Sequence, residues 1–169
     1  MCWFTDTKPQ GKPMERCGAF IIGLLVFLGI FAFHGSTEAA EATFCDGYAR
    51  QASDEAVLAL KFHCDFHGWR WATDIETHFG WCLGTPKAAV EDAAAARAND
   101  VRLCTCQWYA DRTIEQVAVS VTKACNYSGP RWSEDRSAHY RWCVLYKVPL
   151  AELESEIKTR EGLLAKCAS

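Results

Sequence analysis

Sliding this sequence along itself by 61 residues brings two segments into register. Cys45 falls on Cys106, Tyr48 and Ala49 on Tyr109 and Ala110, and Cys64 on Cys125. Further on, Gly68 matches Gly129, and Arg70 and Trp71 match Arg131 and Trp132. Asp74 then matches Asp135, His78 matches His139, and Trp81 and Cys82 match Trp142 and Cys143. These are 11 identities over the 38 positions from Cys45 to Cys82, mostly in rare residue types. After a two-residue shift, Pro86 pairs with Pro149, Ala88 with Ala151, Glu91 with Glu154, Arg97 with Arg160 and Cys104 with Cys167. The period fits none of the common solenoid repeats. A duplicated sequence must bury its apolar residues the same way twice, so whatever one repeat folds into, the other does too.

Each repeat carries four cysteines, and Cys104-Thr105-Cys106 is the seam between them rather than a redox motif. Structural zinc sites use close pairs, because one knuckle supplies two ligands. The spacings here are 18, 17 and 21 intervening residues in the first repeat, which suit cross-links between helix ends and leave no metal site assigned. A continuous first helix would hold Cys45 and Cys64 about 28 Å apart, whereas bridged Cα atoms lie within about 7 Å. That pair is therefore excluded. Reach favours Cys45–Cys82 with Cys64–Cys104, and Cys106–Cys143 with Cys125–Cys167. Cys64–Cys82 with Cys45–Cys104 stays open if the second helix is too short.

Eight cysteines after residue 43 call for an oxidising compartment, and the N-terminus supplies the route to it. Gly18 to Phe33 is an unbroken apolar run, with Lys8, Lys12 and Arg16 before it and Glu38 and Glu41 after it. That asymmetry keeps the N-terminus inside and sends the rest of the chain across the membrane. Sixteen apolar residues are short for a membrane span, which needs about 20, and suit a signal-peptide core. Ala40-Glu41-Ala42 fits the small-x-small cleavage rule, leaving Thr43 as the mature start. Nine residues separate Phe33 from that cut, which keeps an uncleaved anchor as the alternative. The expected organisation is a leader over 1–42, one repeat over 43–104 and a second over 105–169, periplasmic or secreted. Cys2 and Cys17 go with the leader.

Apolar residues at 48, 49, 52, 56, 59 and 60 fall on one face of a helix, which runs from about Asp46 to His63 (helix A). Gly68 and Gly129 lie just past it, where a left-handed residue is expected. Helix B is predicted over Thr73 to Cys82, with Thr73 and Glu76 as a capping box, and Ser133 with Arg136 as a weaker version in the second repeat. Helix C opens at Pro86 and runs to about Leu103. No segment alternates like a strand. The fold class is all-α: two tandem disulfide-stapled three-helix units after a hydrophobic leader. Helix C of the first repeat is expected to pack against helix A of the second in one compact body.

The spacing i, i+4, i+7 places Asp74, His78 and Trp81 in one stripe on helix B, preceded by Arg70 and Trp71. Asp135, His139, Trp142, Arg131 and Trp132 repeat it. An Asp one turn before a His can bond its Nδ1 and set the tautomer, yet no nucleophile is duplicated beside the pair. The stripe reads first as packing, with Trp burying its ring, and second as a twofold binding surface, since Trp and Arg dominate hot spots. His63 and His67 are i, i+4 beside Cys64, which would suit a metal pair, but the second repeat has Ala124 and Ser128 there, so they read first as incidental loop histidines. The pattern C-x2-YA…C-x3-G-x-RW…H-x2-WC resembles that of uncharacterised Cys-rich exported proteins of bacteria. The resemblance spans both repeats and implies no activity.

A net charge of −3 provides no basic face for a phosphate backbone, so nucleic acid is not an expected partner. With neither nucleophile nor cofactor loop, the expectation is a non-enzymatic extracytoplasmic module without cofactors, binding an envelope protein or a cell-wall glycan. A membrane-anchored accessory subunit is the alternative, and an enzyme using the Asp-His pairs trails both. Alkylation of the exported protein without reduction should label no cysteine between positions 45 and 167, read by mass spectrometry. Labelling at two or more of the eight would overturn the disulfide reading.

Overall fold

In the computed structural model, residues 40–167 are described, and among them every regular element is helical. The elements are α1 (Ala42–Lys61), α2 (Ile75–Leu83), α3 (Lys87–Thr122), α4 (Arg136–Leu145) and α5 (Leu150–Cys167), with short 3-10 turns at Trp69–Trp71 and Pro130–Trp132. The apolar run at 18–33 and Cys2 and Cys17 lie outside the described residues. Ala40 is buried against the start of the first repeat, and Glu41 caps α1, its carbonyl accepting from the Cys45 amide at 2.9 Å. The expected boundary between residues 42 and 43 thus falls within the first turn of α1.

The bridges are Cys45–Cys82, Cys64–Cys104, Cys106–Cys143 and Cys125–Cys167, with Cα–Cα distances of 5.5 to 5.6 Å. This is the pairing that reach favours. Cys45 joins α1 to the end of α2 and Cys64 joins the far end of α1 to the middle of α3, so α1 and the first part of α3 run in the same sense. The same holds for the second part of α3 and α5.

The expectation of two separate helices at the seam is corrected. Helix C of the first repeat and helix A of the second do not pack on each other, because they are one helix, α3. Nothing at Cys104-Thr105-Cys106 interrupts it: the seam holds neither Gly nor Pro, and its side chains are buried. The 36 residues of α3 span about 54 Å at 1.5 Å each. At about 100° per residue, Cys104 and Cys106 leave the helix about 200° apart. The two repeats therefore attach to nearly opposite sides of it.

A single shared core does not form either. Cys45, Tyr48, Ala52, Cys82 and Val90 build one cluster, and Cys106, Tyr109, Cys143, Leu153 and Ile157 build its counterpart. The Ala49, Ala52, Ala56 and Ala59 face of α1 is buried, and side chains that small let neighbouring helices approach closely. Across the seam, Phe62 packs on Trp108 with centroids 4.7 Å apart, and Lys61 pairs with Glu154 at 2.6 Å.

Local chemistry explains where the helices stop. His63 and Ala124 take the left-handed conformation, at φ 54° and 53°. The Cys64 amide reaches back to Ala59 O at 2.9 Å and the His63 amide to Leu60 O at 3.2 Å, with Cys125 to Ser120 O and Ala124 to Val121 O matching them. That is a Schellman motif, and it sets Cys64 and Cys125 at the helix ends. The left-handed residue expected at Gly68 and Gly129 is thus supplied upstream. The glycines instead hold φ 87° and 91° with ψ near 180°, a region essentially reserved for glycine, as they start the 3-10 turns.

The N-caps are corrected too. Asp74 and Asp135 cap α2 and α4, accepting from the Thr77 and Ala138 amides, in place of Thr73 and Ser133. Ser133 Oγ instead accepts from the Asp135 amide at 3.1 Å.

Ala124→Gly should stabilise the oxidised protein by about 0.5–1 kcal/mol, the left-handed penalty of alanine less the entropy that glycine adds to the unfolded chain. Gly129→Ala should destabilise it by about 1–3 kcal/mol. Urea unfolding with the bridges intact measures both, and a stabilised Gly129→Ala would contradict the backbone argument.

Candidate functional site

Two copies of one aromatic assembly sit between the helices of each repeat. Tyr48 meets His78 edge-on at 6.3 Å and Trp81 at 5.5 Å, while Tyr109 meets His139 at 6.3 Å and Trp142 at 5.4 Å. On the other side of the 3-10 turn, Trp71 stacks on Phe66 at 4.2 Å, and Trp132 stacks on Tyr127 at 4.6 Å. His78 and Trp81 are therefore gathered around Tyr48, and His139 and Trp142 around Tyr109, while Trp71 and Trp132 pack on Phe66 and Tyr127 instead.

The Asp members of the stripe are not part of it. Asp74 accepts from the Thr77 amide at 2.9 Å and the Thr77 hydroxyl at 2.7 Å. These bonds, the hydroxyl's first, hold its carboxyl below the ordinary carboxylate range. His78 is buried and its Nε2 donates to Ala72 O at 2.7 Å, while His139 Nε2 donates to Ser133 O at 2.9 Å. The imidazoles thus tie helix B to the chain entering it. Each carboxylate is committed to its helix end, so the Asp-His bond suggested by the i, i+4 spacing does not form.

A pair of residues matched between the repeats, but carrying no role in the sequence pattern, lies at the centre of each assembly. Arg97 and Arg160 are 1% and 0% exposed. Arg97 Nε donates to Arg70 O at 3.1 Å and Nη2 to the Tyr48 hydroxyl at 2.8 Å, with Nη1 3.9 Å from Glu55 Oε2. Arg160 donates through Nη1 to Arg131 O, through Nε to Gln116 Oε1 at 2.7 Å, and through Nη2 to Thr113 O at 3.2 Å. Its guanidinium lies 4.3 Å from the Trp132 ring centroid. Gln116 occupies the place of Glu55, so the second guanidinium has no carboxylate in its first ring of partners, and burial pushes its pKa below the usual value. The signal was an arginine recurring at a matched position on helix C, within an alanine run in the first repeat.

The two assemblies differ at one entrance. In the first repeat the Trp69 indole lies over Trp81, with centroids 5.2 Å apart. Pro130 stands at the position of Trp69, and there a cavity of about 440 Å³ opens. Tyr109, His139 and Trp142 form its floor, and Arg131, Glu152 and Glu156 stand in its wall. Arg131 and Glu156 meet as a fork, Nε to Oε1 at 2.8 Å and Nη2 to Oε2 at 3.0 Å. Ser155 and Thr159 complete the lining with hydroxyls.

Among the described residues, no three His, Cys, Asp or Glu side chains are grouped to hold a metal ion. No helix among them is long and apolar enough to cross a membrane. Comparison of the chain with family models, curated proteins and solved structures returned no match.

Arg160→Met should destabilise the protein by on the order of 3 kcal/mol, since it strands two carbonyls and the Gln116 side chain in the interior. A loss below about 0.5 kcal/mol in chemical denaturation would show that these bonds are not what holds the second repeat together.

Proposed function

We propose that this protein is an extracytoplasmic, non-enzymatic interaction module that binds an envelope protein or a cell-wall glycan. Four intrachain bridges on a small helical frame fit life in an oxidising compartment, where thiols do not persist. The observation that carries the reading is the open cavity of the second repeat. Its volume lies within the range of about 300–1,000 Å³ typical of ligand sites, and it combines an aromatic floor with a few polar groups. The hydroxyls that line it, besides that of Tyr109, are those of Ser155 and Thr159 on α5, and neither is bonded to His139. Binding therefore suits the site better than nucleophilic chemistry, which needs an activating base in hydrogen-bond reach. The accessory-subunit reading rests on the leader alone.

Oxidised protein incubated with isolated wall sacculi, and separately with detergent-extracted envelope proteins, should be retained by one of the two. Trp142→Ala should lose at least half of that retention. Absence of retention on both materials would overturn the module.

A further inference from the structure

The two repeats provide an internal comparison of a filled site and an open one. In the first, the place above Trp81 is taken by the chain's own indole, Trp69, which is 49% exposed and leans on its neighbour at 41°. The same place above Trp142 has lost its indole to Pro130, although the Tyr–Trp floor beneath is kept to within 0.1 Å and 2°. Trp142 thus lines an open cavity, whereas Trp69 leans on its counterpart Trp81.

The walls change along with the lid. At the positions where α5 lines the cavity with Glu152, Ser155, Glu156 and Thr159, the matching stretch of α3 has Ala89, Asp92, Ala93 and Ala96. Three of those four are alanines, which offer only apolar surface. The second repeat replaces them with two carboxylates and two hydroxyls. A ring that takes the place of Trp69 here meets an aromatic face below and hydrogen-bonding groups around its perimeter.

Resting on the module reading, we infer that the second repeat binds a neutral pyranose ring of a glycan, stacked on Trp142 in the position that Trp69 takes in the first. A pyranose has an apolar C–H face to lie on an indole and hydroxyls around its edge. Glu152 and the Arg131–Glu156 fork offer acceptors and donors to those hydroxyls, and a forked guanidinium–carboxylate pair fixes their direction as well as their strength. Two carboxylates against one guanidinium leave the wall acidic, which disfavours carboxylated or phosphorylated rings. An aromatic side chain of a protein partner would use the floor but leave the four polar wall groups unmatched, at the desolvation cost of each.

The test uses the oxidised chain, titrated calorimetrically with cellotriose, with tri-N-acetylchitotriose and with N-acetyltryptophanamide as the aromatic probe. One neutral trisaccharide should bind with one site per chain. Pro130→Trp, which rebuilds in the second repeat the lid that the first already folds with, should abolish binding while the helical circular dichroism is unchanged. Trp142→Ala should weaken it by about tenfold or more. Trp69→Pro should create no second site, because the alanine walls remain. Tighter binding of the tryptophan amide than of either sugar, blocked by Pro130→Trp, would overturn the glycan in favour of a protein side chain. Sugar binding untouched by Pro130→Trp would overturn the pocket. Retention on sacculi or envelope protein with no sugar bound would overturn this inference and leave the module standing, whereas failure of both would remove the two together.

Discussion

Two cross-links per repeat, one near each end of the three-helix unit, set the terms on which the rest of this structure forms. Closing loops of 37 to 42 residues constrains the unfolded chain by about 4 kcal/mol per bridge on the chain-entropy model. A unit of about 60 residues buries too little apolar surface to be comfortable without such help. Here the buried side chains are largely alanine, cysteine and valine, with few large aliphatics. With helix ends held by covalent bonds, the interior between them is free to carry something other than hydrocarbon. What it carries is an arginine.

Burying a guanidinium is costly unless all its donors are met. Arg97 and Arg160 donate to backbone carbonyls of the 3-10 turn and to groups on helix A, with Arg97 Nη1 held only by the charge of Glu55 at 3.9 Å, so each arginine ties helix C to both of the other layers of its repeat. The turns that begin at Gly68 and Gly129 aim those carbonyls. The same turns seat Trp71 and Trp132 against the aromatic ring upstream and set the residue before Arg70 or Arg131 over the helix B tryptophan. Whether that residue is Trp or Pro then decides whether the assembly is closed or open. The shared geometry of the two copies is structural, and the exchanges at the mouth and along its α5 wall are where they part in character.

Much of the frame was legible in the sequence because it was written twice. Cys spacing and helix rise were enough to exclude Cys45–Cys64 and to favour the pairing observed. The continuity of the seam is hidden for a reason of the same kind: a repeat boundary in sequence suggests a break in structure, yet Leu103 to Gln107 hold nothing that stops a helix. The Asp-His pairing that the i, i+4 spacing allows does not form, since Asp74 and Asp135 serve the helix end, and a capping carboxylate cannot also reach down the helix. The buried arginines were visible only as an aligned pair, because charge at a core position runs against the pattern used to find cores. The cavity was beyond reach, as it depends on Pro130 lacking an indole and on which face of α5 looks inward.

Among the described residues no bridge crosses the seam, and that has a consequence for how such a chain matures. Synthesised N-terminus first, the chain presents Cys45, Cys64, Cys82 and Cys104 ahead of any cysteine of the second repeat. Four thiols can join in only 3 ways, whereas eight released together can join in 105. Once the first set has closed, the leading half of α3 is already a formed helix. The costly nucleation step is then behind it, and the second half can grow by propagation alone. The fused helix is thus a template handed from the finished repeat to the one still emerging.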